Sequence, residues 1–202
     1  MTFNEIWEKV QQDIQMSQIE AQELYSLAGS KEGTFVEIGT WKGGSVRIIR
    51  AAKEGTESKI FTVDNYRTDI FSDVKGGRTA EEEVAKVLGN TGIQMLVGNS
   101  DACAIAWQWG PIDFLFIDGD HSWEGVMSDI KSWLPHVVKG GIVLFHDYDS
   151  ILGVTKAIHD AIEEKLPVSD DYIHSLKSAI AEAKKRGWVP FEKIERELEL
   201  LR

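Results

Sequence analysis

The 202-residue chain has little of what would place it in a disulfide framework, on nucleic acid or in a membrane. It contains one cysteine, Cys103, and four prolines. A lone thiol cannot close an intrachain disulfide, and no zinc-type Cys/His spacing accompanies it, so a reducing, cytoplasmic setting is expected. Within ACAIAW, Cys103 reads as a buried structural thiol rather than a nucleophile. Basic runs are missing too. Lys and Arg number 22 against 33 Asp and Glu, a net charge of −11, which argues against a nucleic-acid backbone or an anionic membrane as partner. No apolar run is long enough to span a bilayer. The first residues, MTFNEIWEKVQQDIQ, lack the apolar segment of a secretion signal. A small molecule is the expected partner.

What the chain does have is alternation of short apolar runs with helical spacing. Strands are expected at 34–38, 59–63, 94–97, 114–117 and 142–145, and helices at 45–53, 81–88, 102–109, 123–134 and 154–164. One helical stretch, carrying Ile6, Val10 and Ile14, is expected over 3–29. In the segment between the last two strands, Val126, Ile130, Trp133 and Leu134 build one apolar stripe. Ser122 is placed to cap that helix, Glu124 to meet its dipole and Pro135 to end it, and Lys139-Gly140-Gly141 to turn the chain into the next strand. The order β-α-β-α implies an α/β fold: a doubly wound parallel sheet with helices on both faces.

A single domain is expected, with a helical N-terminal cover (1–30), a nucleoside-binding α/β core (34–166) and a helical C-terminal extension (167–202). Residues 64–80 read as a polar loop. Pro190 opens a last helix whose Phe191, Ile194, Leu198 and Leu201 form an apolar seam, packing on its own domain or making a homo-oligomer contact.

Parallel sheets carry their functional groups at the carboxyl ends of strands. In this chain 114–117 runs into Asp118, Asp120 and His121, and 142–145 into His146 and Asp147, so five polar side chains are expected along one rim. Asp118 and Asp120 also have a simpler reading, as caps of the helix beginning near Ser122. The turn 37–45, EIGTWKGGS, brings backbone close to a ligand, yet its Gly39 and Gly43 give neither a Walker A loop nor a dinucleotide fingerprint. Glu37 at that strand end suits a cationic ligand better than a pyrophosphate. Asp64, ending the second strand, stands where a carboxylate accepts ribose hydroxyls. Together these point to a nucleoside carrying positive charge.

The blocks VEIGTWKGGS, VDNY, VGNS and FIDGDHSWEGVMSDIKSWLPHVVKGGIVLFHDY resemble a class I S-adenosylmethionine-dependent methyltransferase. The resemblance is to the branch that includes macrocycle-sugar and cephalosporin-type O-methyltransferases and, more distantly, catechol O-methyltransferases. It implies that Glu37, Gly39 and Thr40 surround the donor's amino-acid part, that Asp64 holds its ribose, that Asn99 and Ser100 lie near its adenine, and that Ser45 is among the donor-binding residues. It further implies a Rossmann-like sheet in which Asp118 would face the sulfonium and, with His146 and Asp147, would hold a divalent metal (Mg²⁺ or Mn²⁺), while His121 would be the general base toward a small hydroxylated acceptor.

Two departures accompany the resemblance. His146 stands where metal-dependent relatives are commonly acidic, and the C-terminus reads as helical where relatives finish with an antiparallel hairpin. Two other functions stay open on the residues alone: an NAD-dependent oxidoreductase and a non-catalytic nucleoside-binding relative. Trp41 and Trp123 flank the site as stacking or packing residues, Trp107 and Trp109 read as packing, and His136, His159 and His174 as structural.

Overall fold

The computed structural model describes residues 1–66, 80–148 and 150–163. Five strands, β1 (Thr34–Ile38), β2 (Lys59–Asp64), β3 (Ile93–Val97), β4 (Ile112–Ile117) and β5 (Val137–Phe145), form one sheet in the order β3-β2-β1-β4-β5. Every neighbouring pair is parallel. The doubly wound sheet read from the alternation is therefore present. The helices α1 (Phe3–Val10), α2 (Gln18–Gly29), α3 (Gly44–Ala52), α4 (Ala80–Leu88), α5 (Ser100–Ile105), α6 (Trp123–Trp133) and α7 (Leu152–Glu163) cover it. The expected helical extension over 167–202 with its apolar seam, His174 and most of the 64–80 loop lie outside the described residues.

Strand side chains alternate between two cores, as the period of two dictates. Phe35, Ile60, Phe114 and Phe116 meet α1, α2, α3 and α4 on one face. Val36, Ile38, Phe61, Val63, Leu115 and Ile117 meet α5, α6 and α7 on the other. Strands buried on both faces read as continuous apolar runs, which is why IFTV and FLFI carry no alternation of polarity. Trp133 closes the second core, fully buried with Trp107 beside it in an edge-on contact at 5.5 Å, and Trp109 completes the aromatic group. Cys103 packs against this core, half-buried, and burial pushes its thiol up, as fits a structural residue. No described helix is long and apolar enough to cross a membrane.

Three expectations change. The N-terminal helix is two helices, because Ser17 and Glu20 form a capping box that starts α2 afresh and residues 11–17 leave the helix. Its Ile14 stays apolar and packed without being helical. Gly140-Gly141 does not reverse the chain ahead of a strand; it lies inside β5. Ile112 pairs with Val137 but Phe114 with Ile142, so the extra residues form a bulge, with Gly140 at φ 77°. The third helix boundary moves as well: α5 ends at Ile105, and Trp107 and Trp109 pack from the connection that follows.

Hydrogen bonding carries the ladder one step past the strand ends. Gly39 N–H donates to Val63 O (2.9 Å), Asp118 N–H to Ile38 O (2.8 Å), and His146 N–H to Ile117 O (3.0 Å). The residues that follow β1, β4 and β5 are thereby pinned to a single rim.

Candidate active site

A cleft of about 680 Å³ opens along this rim, lined by residues that follow all five strands, by one face of α6 and by residues 13–15. Its β1 end is shaped by backbone. Gly39 sits at φ 90°, and a Cβ there would lie 2.0 Å from Asp118 O, so only glycine allows β1 and β4 to come this close. Trp41 also takes a left-handed conformation, at φ 46°. Asp64 holds the turn in that shape: its Oδ2 accepts the N–H groups of Thr40 (2.9 Å) and Trp41 (3.0 Å), and its Oδ1 that of Tyr66 (2.8 Å). Asp64 thus lines the cleft while three of its acceptor positions serve the backbone.

Glu37 is placed differently from the sequence reading. Its side chain is fully buried beneath the cleft rather than lining it. It accepts the Thr62 hydroxyl at 2.7 Å, and Thr62 contacts Thr40 Oγ1 at 2.6 Å. Burial pushes its carboxyl up to about 8, against the Ser45 and Thr62 hydroxyls beside it. At neutral pH it is largely a neutral acid supporting the floor. Ser45 and Thr40 do line the cleft. The α3 N-terminus, with Gly43 as its N-cap, carries no side-chain cap, so its first N–H groups are open to an anionic group.

Asn99 and Ser100, following β3, line the cleft beside Asp64 and Asn65, and Asn65 donates to Asn99 Oδ1 at 3.3 Å. The Ser100 hydroxyl accepts the buried Trp133 indole N–H at 2.8 Å and reaches Asp129. Asp129 was not singled out from the sequence. It is 4% exposed, and burial pushes its carboxyl up to about 6 despite the Ser100 hydrogen bond. A lone acid at i+3 from Val126 on the apolar stripe of α6 was the signal that could have found it. The wall formed by Asp13, Ile14 and Gln15 left no such signal, because it comes from a break inside an apparent helix.

The β4–β5 end is built from charge. His121 Nε2 lies 3.4 Å from both Asp118 Oδ1 and Asp147 Oδ2. His146 Nδ1 lies 2.9 Å from Asp147 Oδ2 and 3.3 Å from Asp118 Oδ1. Burial alone would lower His146, but the hydrogen bond and charge of Asp118, with Asp147 beside it, hold it up to about 9. The Asp118 hydrogen bond likewise raises His121, against partial burial. Asp147 is lowered in spite of burial, by the Ser150 hydroxyl and the two imidazoles. Asp120 takes the capping role, accepting Ser122 N–H at 2.8 Å, while Ser122 Oγ accepts Gly125 N–H at 3.1 Å. Trp123 is a packing residue whose indole N–H donates to Asp160 at 2.8 Å. His136 packs on Trp107 and Trp133, and His159 stacks on Tyr148.

The fit of a metal follows from the donor set. Asp118, His121 and Asp147 each offer one ligand atom, all within 4.8 Å of one another. The sequence reading had Asp118, His146 and Asp147; here His121 joins the two carboxylates, and His146 Nδ1 lies within hydrogen-bonding reach of both. One nitrogen with two carboxylate oxygens fits a divalent ion, and Mn²⁺ better than Mg²⁺, which prefers oxygen alone.

The sequence pattern of the family described as "Methyltransferase domain" matches residues 36–148. The chain belongs to that family. The match runs from β1 through the rim after β5 and so contains both ends of the cleft. In structure, the chain is similar to the O-methyltransferase NovP, at 18% identity and a TM-score of 0.63, over 75% of this chain and 74% of that one. It is also similar to the S-adenosylhomocysteine-bound methyltransferase PaMTH1 of Podospora anserina, at 17% identity and a TM-score of 0.57, over 91% and 78%. A third likeness is to the O-methyltransferase TomG of Streptomyces achromogenes, solved with S-adenosylmethionine, at 15% identity and a TM-score of 0.55, over 92% and 78%. At these identities the likeness shows the fold. A curated relative, "Uncharacterized protein R132" of Acanthamoeba polyphaga mimivirus, is 49% identical over 37 residues, which spans 18% of this chain and 17% of that protein.

Proposed function

We propose that this methyltransferase-family protein transfers a methyl group from S-adenosylmethionine to a hydroxyl of a small acceptor. The observation that carries the reading is the continuity of one cleft, from the glycine turn and Asp64 to the Asp118–His121–His146–Asp147 cluster. The fold is shared with PaMTH1 and TomG, which hold the sulfur nucleosides. Among the described residues, seven aspartates and no lysine or arginine line the cleft, which favours a sulfonium cation and disfavours a phosphorylated or carboxylate acceptor.

Methyl transfer is an in-line displacement. The acceptor oxygen attacks the methyl carbon, the carbon–sulfur bond breaks with its electron pair left on sulfur, and the hydroxyl proton must leave. Alignment of donor and acceptor supplies much of the rate, on the order of 7–11 kcal/mol in the best intramolecular cases. For the proton, His121 is placed at the open side of the cluster, its side chain 40% exposed and its Nε2 near both carboxylates. A base so placed contributes roughly 10²–10⁴-fold. His146, protonated at neutral pH and lining the same cleft, lies within 3.3 Å of both Asp118 and Asp147 and helps to orient them.

Asp118, His121 and Asp147 would hold a divalent ion, which when bound lowers the pKa of a coordinated hydroxyl. A single His121 nitrogen serves as ligand or as base, not both at once. Turnover that survives chelation assigns it the role of base; turnover restored only by Mn²⁺ assigns it the role of ligand.

The experiment is calorimetric titration with S-adenosylmethionine, S-adenosylhomocysteine and NAD in separate runs, with and without Mn²⁺. Micromolar binding of the sulfur nucleosides, about −8 kcal/mol, with none for NAD is expected. Binding of NAD in their place would return the oxidoreductase reading. Silence from both sulfur nucleosides would refute the donor assignment.

A further inference from the structure

The strand ladder stops short of the charged cluster. Its last bonds on this side run from Asp118 N–H to Ile38 O and from His146 N–H to Ile117 O. His121 lies three residues beyond the first and Asp147 one residue beyond the second, so their meeting needs another cause. The turn that opens α7 supplies it. Asp147, at φ 56°, accepts the Ile151 N–H on its carbonyl at 3.0 Å and the Ser150 hydroxyl on its Oδ1 at 2.5 Å. With Oδ1 committed to the turn, Oδ2 is the oxygen that faces His146 at 2.9 Å and His121 at 3.4 Å. Gly153 backs the other member of the pair. A Cβ there would lie 2.4 Å from His121 O and 3.1 Å from Trp123 N, so α7 rests directly on the backbone that carries the imidazole. Further along α7, Asp160 Oδ2 accepts the Trp123 indole N–H at 2.8 Å and holds the same loop a second time.

We propose that Ser150 and Gly153 are positioning residues for the reaction, which together set how Asp147 meets His121. Ser150 fixes which carboxylate oxygen is presented, and Gly153 fixes how closely α7 lets the His121 backbone approach. This rests on the reading of the Asp118–His121–Asp147 cluster as the place where the acceptor hydroxyl is activated. Without the Ser150 hydroxyl both oxygens of Asp147 are free to turn toward the imidazoles, and any side chain at 153 pushes the loop off α7. A misplacement of about 1 Å is enough to matter at such a site, on the order of 10²-fold in rate.

The test needs no acceptor. Imidazole signals of His121 are recorded by NMR on metal-free protein, and Mn²⁺ affinity is measured by electron paramagnetic resonance, with S-adenosylhomocysteine titrated in parallel. The variants are Ser150→Ala, Ser150→Thr, Gly153→Ala and Ile158→Val. Ile158 is a buried core residue of α7 beyond the turn, so its shortening reports what a looser helix does by itself. His121 is expected to shift in Ser150→Ala and further in Gly153→Ala, with Mn²⁺ weakened about tenfold and S-adenosylhomocysteine unchanged. Ser150→Thr, which keeps the hydroxyl, is expected to match the wild type. Ile158→Val is expected to lower the melting temperature and leave the His121 signals in place. An unmoved His121 in Ser150→Ala would overturn the proposal, even if Gly153→Ala failed to fold. An equal shift in Ile158→Val would overturn it too, as a general loosening. A wild type that does not bind S-adenosylhomocysteine would overturn the donor assignment instead, and the His121 signals would still decide the positioning.

Discussion

The two ends of the cleft are built by different means. At the β1–β2 end, shape is set by backbone: Gly39 and Trp41 in left-handed conformations, and Asp64 spending its oxygens on three N–H groups. At the β4–β5 end, the chain is held by the ordinary ladder, and each of two imidazoles lies within 3.4 Å of both of two carboxylates. The first arrangement is suited to holding a ligand in one pose, since a fixed backbone needs no reordering when the ligand arrives. The second is suited to moving a proton, since its groups have values shifted by their neighbours. Damage to one end should therefore appear in binding, and damage to the other in turnover.

The largest effect is expected at the charged end. Asp147→Asn preserves size and tolerates the residue's φ of 56°, since asparagine accepts the left-handed region. It removes the charge that His121 and His146 face, and turnover should fall by about 10²–10⁴-fold, read from initial rates at saturating donor. A loss of less than threefold would detach the cluster from the chemistry. Next is Gly39→Ala. Its Cβ meets backbone at 2.0 Å, so β1 and β4 must part, and the cost is expected at roughly 3–4 kcal/mol. Urea unfolding measures this, and an unchanged midpoint would show the rim to be pliable.

Asp64→Asn offers one oxygen where the carboxylate offers two, so either the Thr40 and Trp41 amides or the Tyr66 amide loses its acceptor. Donor affinity should drop about 10- to 100-fold, roughly 1.4–2.7 kcal/mol. A pH-dependent effect, with no change expected near pH 5, concerns the floor. Glu37, ordinarily near 4.5, is held up to about 8 in the folded chain. Its folded value lies above its unfolded one, so stability is full below about 4.5 and is lost as pH rises through 8. Glu37→Gln removes this loss, and its advantage over the wild type should grow by on the order of 1–3 kcal/mol between pH 5 and pH 9. Parallel pH profiles for the two proteins would contradict the buried-acid assignment.

The sequence made the charged end legible and the shaped end only partly so. Asp118, His121, His146 and Asp147 follow apolar runs too short to be anything but strands, so their convergence on one rim could be read directly. The cap at Ser122 was readable for the same local reason. What Glu37 does was not, because a carboxylate at a strand end looks the same whether it faces the cleft or lies buried beneath it. Only the Thr62 and Ser45 hydroxyls around it reveal which. The wall at residues 13–15 was hidden by Ile6, Val10 and Ile14, whose spacing continues a helix that the Ser17–Glu20 capping box has already interrupted. Gly140 and Gly141 read as a turn because glycine permits both a turn and a bulge, and the pairing of Val137 with Ile112 decides between them.

The division of labour between the two ends is tested most directly by one binding measurement. S-adenosylhomocysteine is titrated calorimetrically into the wild type, Asp64→Asn and Asp147→Asn at the same pH and ionic strength. Asp147→Asn is expected to bind within threefold of the wild type and Asp64→Asn to be weaker by about tenfold or more, a loss of about 1.4 kcal/mol. Equal loss in the two variants would contradict the division of labour, and the cleft would then have to be treated as one coupled unit.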